Sequence, residues 1–182
     1  MPRRRSVLLI VVIAVLSLLA LGVVTQRPRL VDRRDAADAA FGALRPELDQ
    51  RYATVPAIVD ALTSAGATDR GPTRALTGDL TAWRAAQRGT DVDRVTDAAN
   101  ALEGSVARTR AMVAASDRYR SAEATLRTAY DAYDSAAPPA PLVTANTRAV
   151  AEYRTARGRL LARPAVLVGG FDPRTTYEPI LP

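Results

Sequence analysis

The chain has neither cysteine nor histidine in its 182 residues. Without cysteine there is no disulfide framework and no thiol chemistry. Without histidine as well, the usual zinc ligand sets and the nucleophile–base pairs of hydrolases are missing. Lysine is absent too, so all 25 basic residues are arginine. Together with abundant alanine, this reads as a coding bias rather than as chemistry. Aromatic residues make up only 5%. β-Branched runs are rare outside the N-terminal segment, and only Val166-Leu167-Val168 competes with a helical reading.

What is there is helical periodicity and mixed charge. The 25 arginines stand against 19 acids, for a net charge of +6. They are scattered along the chain among Asp and Glu. That pattern reads as a solvated helical surface, and no nucleic-acid partner is expected.

The N-terminus carries Arg3, Arg4 and Arg5 in a short basic tail, residues 1–6. Residues 7–24 then hold no charge, with only Ser17 and Gly22 interrupting the aliphatics. About 17–25 apolar residues span the roughly 30 Å hydrocarbon core of a bilayer. The expectation is a transmembrane anchor over 7–24, with the lipid bilayer as its partner. A cleaved signal peptide is the rival reading; its apolar region is usually shorter, though Ala20-Leu21-Gly22 resembles a cleavage site. Arginines flank both sides: Arg3 to Arg5 before the run, and Arg27, Arg29, Arg33 and Arg34 after it. The orientation preferred is N-terminus inside and domain outside, at the cell membrane, single-pass.

Pro28 marks residues 25–29 as a linker. Phe41, Leu44, Leu48, Val55, Ile58 and Leu62 then follow a 3–4 spacing, with Arg51 the one polar intruder. Pro46 and Pro56 lie inside that pattern, which predicts a long, kinked first helix over 30–62. Gly66 and Gly71-Pro72 turn the chain into a second helix carrying Leu76, Leu80 and Trp83. Asp91 is the expected N-cap for a third. There Val92, Val95, Ala99, Leu102, Val106, Thr109 and Val113 repeat at alternating steps of three and four, the cleanest heptad run in the chain. A fourth helix, capped by Ser116 or Asp117, carries Tyr119, Ala122, Leu126, Tyr130 and Tyr133. After Pro138-Pro139-Ala140-Pro141 a fifth carries Leu142, Ala145, Ala149, Tyr153, Ala156 and Leu160, ending at Pro164.

Stripes this narrow cannot fold alone. The predicted fold is all-α: a transmembrane helix followed by an antiparallel up-and-down bundle of four-helix type over 30–164, with an irregular C-terminal tail over 165–182.

Two stretches are similar to a known family. Arg51-Tyr52-Ala53-Thr54-Val55-Pro56-Ala57-Ile58-Val59-Asp60, set on a long helix after one anchor, resembles the hallmark of the LemA family. Ala149-Val150-Ala151-Glu152-Tyr153-Arg154 and Gly170-Phe171-Asp172-Pro173-Arg174-Thr175-Thr176-Tyr177-Glu178 resemble its C-terminal segments. The sequence departs from the family at Ala53, where an acid is usual, at Ala57 and Arg154, where Asn is usual, and at Thr176, where an aromatic is usual. The resemblance implies a divergent, membrane-anchored helical bundle and supplies no activity.

Chemistry is sparse. Asp91, Asp93 and Asp97 form the densest acidic group, but the glycine and closing glutamate of a calcium loop are missing, so capping is the better reading. Gly169-Gly170 lacks the features of a phosphate loop, and no serine sits in a Gly-x-Ser-x-Gly elbow. Trp83 and Tyr119, Tyr130, Tyr133 and Tyr153 lie on helical stripes and read as core. No catalytic, cofactor-binding or metal-ligating residue is expected, and no cofactor.

Two stretches stand out as interaction surfaces: 166–177, and the arginines of 27–34 with their affinity for anionic head groups. The first functional expectation is a non-enzymatic module that scaffolds a protein partner at the cell envelope. The alternative is a ligand-sensing bundle, which needs a polar cluster inside; Arg51 and Thr109 are its visible candidates.

Overall fold

The computed structural model describes the backbone of residues 2–180 and the side chains of residues 17, 20, 21 and 23–180. The helices are α1 (Pro2–Tyr52), α2 (Val55–Ser64), α3 (Gly71–Ala86), α4 (Val92–Ala114), α5 (Glu123–Ser135), α6 (Ala140–Gly158) and α7 (Arg163–Gly169). Short 3₁₀ turns precede α5, at Asp117–Ala122, and α7, at Leu160–Ala162. Among the described residues there is no strand, and the all-helical expectation holds.

The first helix differs from expectation at both proline sites before Tyr52. No linker interrupts 25–29, because α1 runs through Pro28 and through Pro46. Both rings lie on exposed positions. The carbonyls they displace, four residues back at Val24 and Gly42, also belong to exposed residues, where water can satisfy them. The break falls later, at Ala53-Thr54, where the Pro56 ring would strike the carbonyl of Tyr52. Pro56 then takes one of the first positions of α2, where its missing N–H costs nothing. The kinked helix expected over 30–62 is therefore two helices, and the apolar spacing carries across the gap.

Among the described residues no helix is long and apolar enough to cross a membrane. The anchor expected over 7–24 lies almost wholly outside the described side chains, and its backbone belongs to α1.

The single bundle expected over 30–164 divides into two compact units. One comprises Met1–Ala39 with Arg148–Arg174; the other comprises Ala40–Thr147 with Thr175–Pro182. In the larger unit, α3 packs on α4 and α2 packs on both α3 and α5. Its core takes the anticipated stripes: Phe41, Leu44, Leu48, Val55, Ile58 and Leu62, Leu76 and Leu80, and Val95, Ala99, Leu102 and Val106. Trp83 is buried and meets Tyr52 edge-on at 4.8 Å between ring centroids. Between α2 and α3 the Ala67 N–H bonds the Leu62 carbonyl and the Gly66 N–H bonds the Thr63 carbonyl, with Gly66 left-handed at φ 73°. This Schellman cap brings buried Ala67 back onto the helix end. Asp91 caps α4 as expected, accepting from the N–H groups of Asp93 and Arg94.

The smaller unit packs Leu30 and Ala37 with Val150, Tyr153, Ala162, Ala165 and Phe171. The predicted α6 stripe is corrected here and in the larger unit. Ala145 is exposed and its neighbour Asn146 is buried. Leu160 lies past the helix end at Gly158 and is 75% exposed. The tail expected to be irregular from 165 is helical to Gly169, since Pro164 starts a helix as readily as it stops one. Gly170, at φ 61°, ends α7 in the left-handed region. Beyond it the chain has no regular structure through Ile180.

Candidate functional site

The larger unit buries a charged knot. The end of α1 supplies Arg51 and Tyr52, α4 supplies Glu103, α5 supplies Tyr133, and the tail supplies Tyr177. Arg51 Nε lies 3.0 Å from Glu103 Oε1, with the two side chains only 3% and 1% exposed. Arg51 Nη2 donates to Glu103 Oε2 at 3.2 Å. The hydroxyls of Tyr52 and Tyr177 donate to Glu103 Oε1 at 3.1 and 2.8 Å. The guanidinium carbon stands 4.1 Å from the centroid of the Tyr133 ring.

The electrostatics follow from burial. Burial lifts the Tyr52, Tyr133 and Tyr177 hydroxyls well above the ordinary tyrosine value, and the Glu103 carboxylate pushes the same way. For Arg51 burial works downward, but Tyr133 and Glu103 outweigh it and raise the guanidinium above its usual value. The tyrosines stay neutral and the arginine stays charged. The Glu103 carboxylate accepts from Arg51, Tyr52 and Tyr177, so its oxygens are engaged by protein groups. The arrangement is built to hold three helices and the tail together.

Thr109 is also paired. Its hydroxyl donates to the Val106 carbonyl at 2.8 Å and accepts from the Tyr130 hydroxyl at 3.1 Å. The two interior residues singled out from the sequence are both engaged by protein groups, and the structure places them in separate contacts. Two buried hydroxyls, Thr73 and Tyr133, are different. Tyr133 feels the charges of Arg51 and Glu103, yet no partner meets its hydroxyl at hydrogen-bonding geometry. It lines, with Glu103, a mostly apolar cleft of about 260 Å³ between α4 and α5.

The tail is strapped to the same unit through its backbone. Asn100 donates from Nδ2 to the Thr176 carbonyl and accepts at Oδ1 from the Glu178 N–H, both at 2.9 Å. The Thr175 N–H donates to Asp93 Oδ1 at 2.9 Å, and the Tyr177 N–H to Asn146 Oδ1 at 3.4 Å. Asp93 thus serves the tail, while its neighbour Asp91 caps the helix.

Within the smaller unit the segment after Gly170 is held in the same manner by α6. Tyr153 Oη donates to the Asp172 carbonyl at 2.8 Å, Arg157 Nε to the Phe171 carbonyl at 2.7 Å, and Arg154 Nε to the Arg174 carbonyl at 2.9 Å. Arg174 returns to α1 with a 2.8 Å bond from Nη2 to Asp38 Oδ2.

The surface of this unit carries two further features. One is a cleft of about 580 Å³ between α1 and α6, lined by arginines and two acids. The other is a corner of exposed aliphatics: Leu160 and Leu161 in the 3₁₀ turn, and Leu167 and Val168 at the end of α7, each more than 70% exposed. Gln26, two residues past the apolar run, and Arg159, next to Leu160, line the same cleft. The Leu160 end of the corner therefore adjoins the cleft that Gln26 lines, and Leu21 and Val24 before it are exposed as well. Of the stretch 166–177, Phe171 and Tyr177 are core while Leu167 and Val168 face outward.

Glu103, Asn100 and Asn146 were not singled out from the sequence. One signal existed for Glu103: a cation on the apolar stripe at Arg51 requires a buried anion.

No protein-family model, curated protein or solved structure matches the chain.

Proposed function

We propose that this chain is a divergent LemA-like protein: a single membrane anchor over 7–24 carrying an antiparallel four-helix-type module, without enzymatic activity, that holds a protein partner at the cell envelope. The exposed aliphatic corner carries the reading. Water-facing Leu160, Leu161, Leu167 and Val168 are unfavourable on a surface surrounded by solvent. Beside the end of an apolar run they become favourable, because the bilayer interface covers them. The closed Arg51–Glu103 knot supports a structural role for the larger unit. With three arginines ahead of the run, the module is assigned to the outer side.

The test is a C-terminal tag on the full chain, followed by cell fractionation and by protease added to intact cells. Retention in the membrane pellet after alkaline washing, with digestion of the tag without lysis, is the expected result. A chain in the soluble fraction rejects the anchor. A pelleted chain protected until lysis keeps the anchor and reverses the orientation.

The ligand-sensing alternative has one observation in its favour. Tyr133, which lines an apolar cleft and whose hydroxyl meets Arg51 and Glu103 without well-aligned geometry, would suit a small molecule with an apolar body and a polar head. Soaking with phenol and indole as probes, read as chemical-shift changes confined to α4 and α5 and absent in Tyr133→Phe, would favour it. No shift at those helices would remove it.

A further inference from the structure

The cleft between α1 and α6 has a charge imbalance that its own residues leave uncompensated. Arg29, Arg33, Arg148 and Arg159 line it against Asp32 and Glu152. Glu152 is shared by two of the arginines: it takes Arg33 through Oε2 and Arg148 Nε through Oε1 at 3.0 Å. Asp32 pairs with none of the four. Arg29 and Arg159 line the same cleft, and among the described residues no carboxylate pairs with either. A guanidinium is planar, always charged and matched to phosphate oxygens. The Leu160–Ala162 turn begins directly after Arg159, and its leucines are exposed.

The geometry points to an anionic phospholipid as the occupant of this cleft, its phosphate between Arg29 and Arg159 and its acyl chains over Leu160 and Leu161. This rests on the membrane reading above and names the lipid that reading requires. A free phosphate or a nucleotide satisfies the arginines but leaves the leucines in water. A zwitterionic lipid covers the leucines but brings its own cation to a site already carrying excess positive charge. An anionic diacyl lipid satisfies both. Both arginines are solvent-facing, so the attraction is screened by salt.

The experiment is native mass spectrometry of the full chain in a non-ionic maltoside detergent, with equal amounts of phosphatidylglycerol and phosphatidylcholine. The expected result is retention of phosphatidylglycerol by about thirtyfold over phosphatidylcholine, as two cations at a surface provide. Arg29→Gln with Arg159→Gln reduces the two lipids to parity, while Arg127→Gln on the other unit changes nothing. Leu160→Ser with Leu161→Ser lowers retention of both lipids. Parity in the unmodified chain overturns the assignment. So does complete displacement of the lipid by inorganic phosphate, which marks a plain anion site. Circular dichroism melts of each variant guard against unfolding; if the double glutamine variant unfolds, Arg29→Lys with Arg159→Lys replaces it and should keep part of the preference. Fractionation in cells is read separately: a membrane-bound chain with no lipid preference rejects this inference and leaves the anchor standing.

Discussion

Arg51 and Glu103 meet inside the larger unit, Nε to Oε1 at 3.0 Å, with almost no solvent on either side chain. Such a pair is held by mutual compensation, and desolvation of each charge is offset only while the other is present. Glu103→Ala should cost about 3–5 kcal/mol, because it strands a buried guanidinium, leaves the Tyr177 hydroxyl without an acceptor and leaves Tyr52 only the Ala99 carbonyl at 3.3 Å. Arg51→Met combined with Glu103→Leu should cost clearly less than the single change. Urea denaturation of the three proteins at neutral pH measures the coupling. A double variant as damaged as Glu103→Ala would mean that the pair is not what the burial implies.

The same knot sets an alkaline limit. Tyr52, Tyr133 and Tyr177 have folded-state values raised above the ordinary one near 10, first by burial and then by Glu103. Below about pH 10 both folded and unfolded chains keep these protons, and the stability is fully present. Above it the unfolded chain releases them first, so it binds fewer protons and stability falls as pH rises. Each tyrosine contributes about 1.4 kcal/mol per pH unit to that slope, until the pH passes its folded value. Phenolate absorbance and circular dichroism should change together between pH 10 and 12. Phenolate appearing well before unfolding would show that these hydroxyls are accessible.

Asn100 holds the tail by two bonds, to the Thr176 carbonyl and from the Glu178 N–H. Asn100→Ala should cost about 1–3 kcal/mol and raise amide exchange at 176–178 before the helices are affected. Exchange in that segment unchanged from the unmodified protein would assign its stability to the bonds at Asp93, Asn146 and Glu103 instead.

Leu102 is fully buried on the α4 stripe. Leu102→Asp places an unpaired carboxylate among aliphatics, a cost of several kcal/mol that is enough to lose the larger unit. A melting curve that matches the unmodified protein would remove this stripe from the core.

Most of the larger unit was legible because its helices obey one rule: apolar residues at steps of three and four face inward. Where the sequence reading failed, a second rule competed. Proline at 28 and 46 reads as a break, but a solvent-facing ring allows the helix to continue. Proline at 56 does break it, since its ring meets a carbonyl on the packed side. Leu160 fits the α6 period and yet is exposed, because periodicity carries no meaning past the helix end at Gly158. Glu103 and the strap asparagines are polar side chains flanking apolar stripes, and a sequence alone does not say which polar flank is buried. The division into two units leaves little mark on the sequence, since two of its three boundaries fall within α1 and α6 rather than in a loop.

Two glycines separate packing from propensity. Gly42 lies exposed within α1, and a Cβ there meets nothing within 4 Å. Gly42→Ala should stabilise by about 0.5–1 kcal/mol, the difference in helix propensity between the two residues. Gly169 is the opposite case. A Cβ there would lie 2.5 Å from Cε2 and 2.8 Å from Cδ2 of Phe171, whose ring is buried in the smaller unit. The ring cannot retreat without opening that core, and its carbonyl is fixed by Arg157 at 2.7 Å. Gly169→Ala should therefore cost about 1–3 kcal/mol, as overpacking does. Its amide exchange should rise across 170–174 and stay unchanged in α4. Equal melting temperatures for both variants would mean that the Phe171 ring adapts, and that the tight cap is not a determinant of this unit.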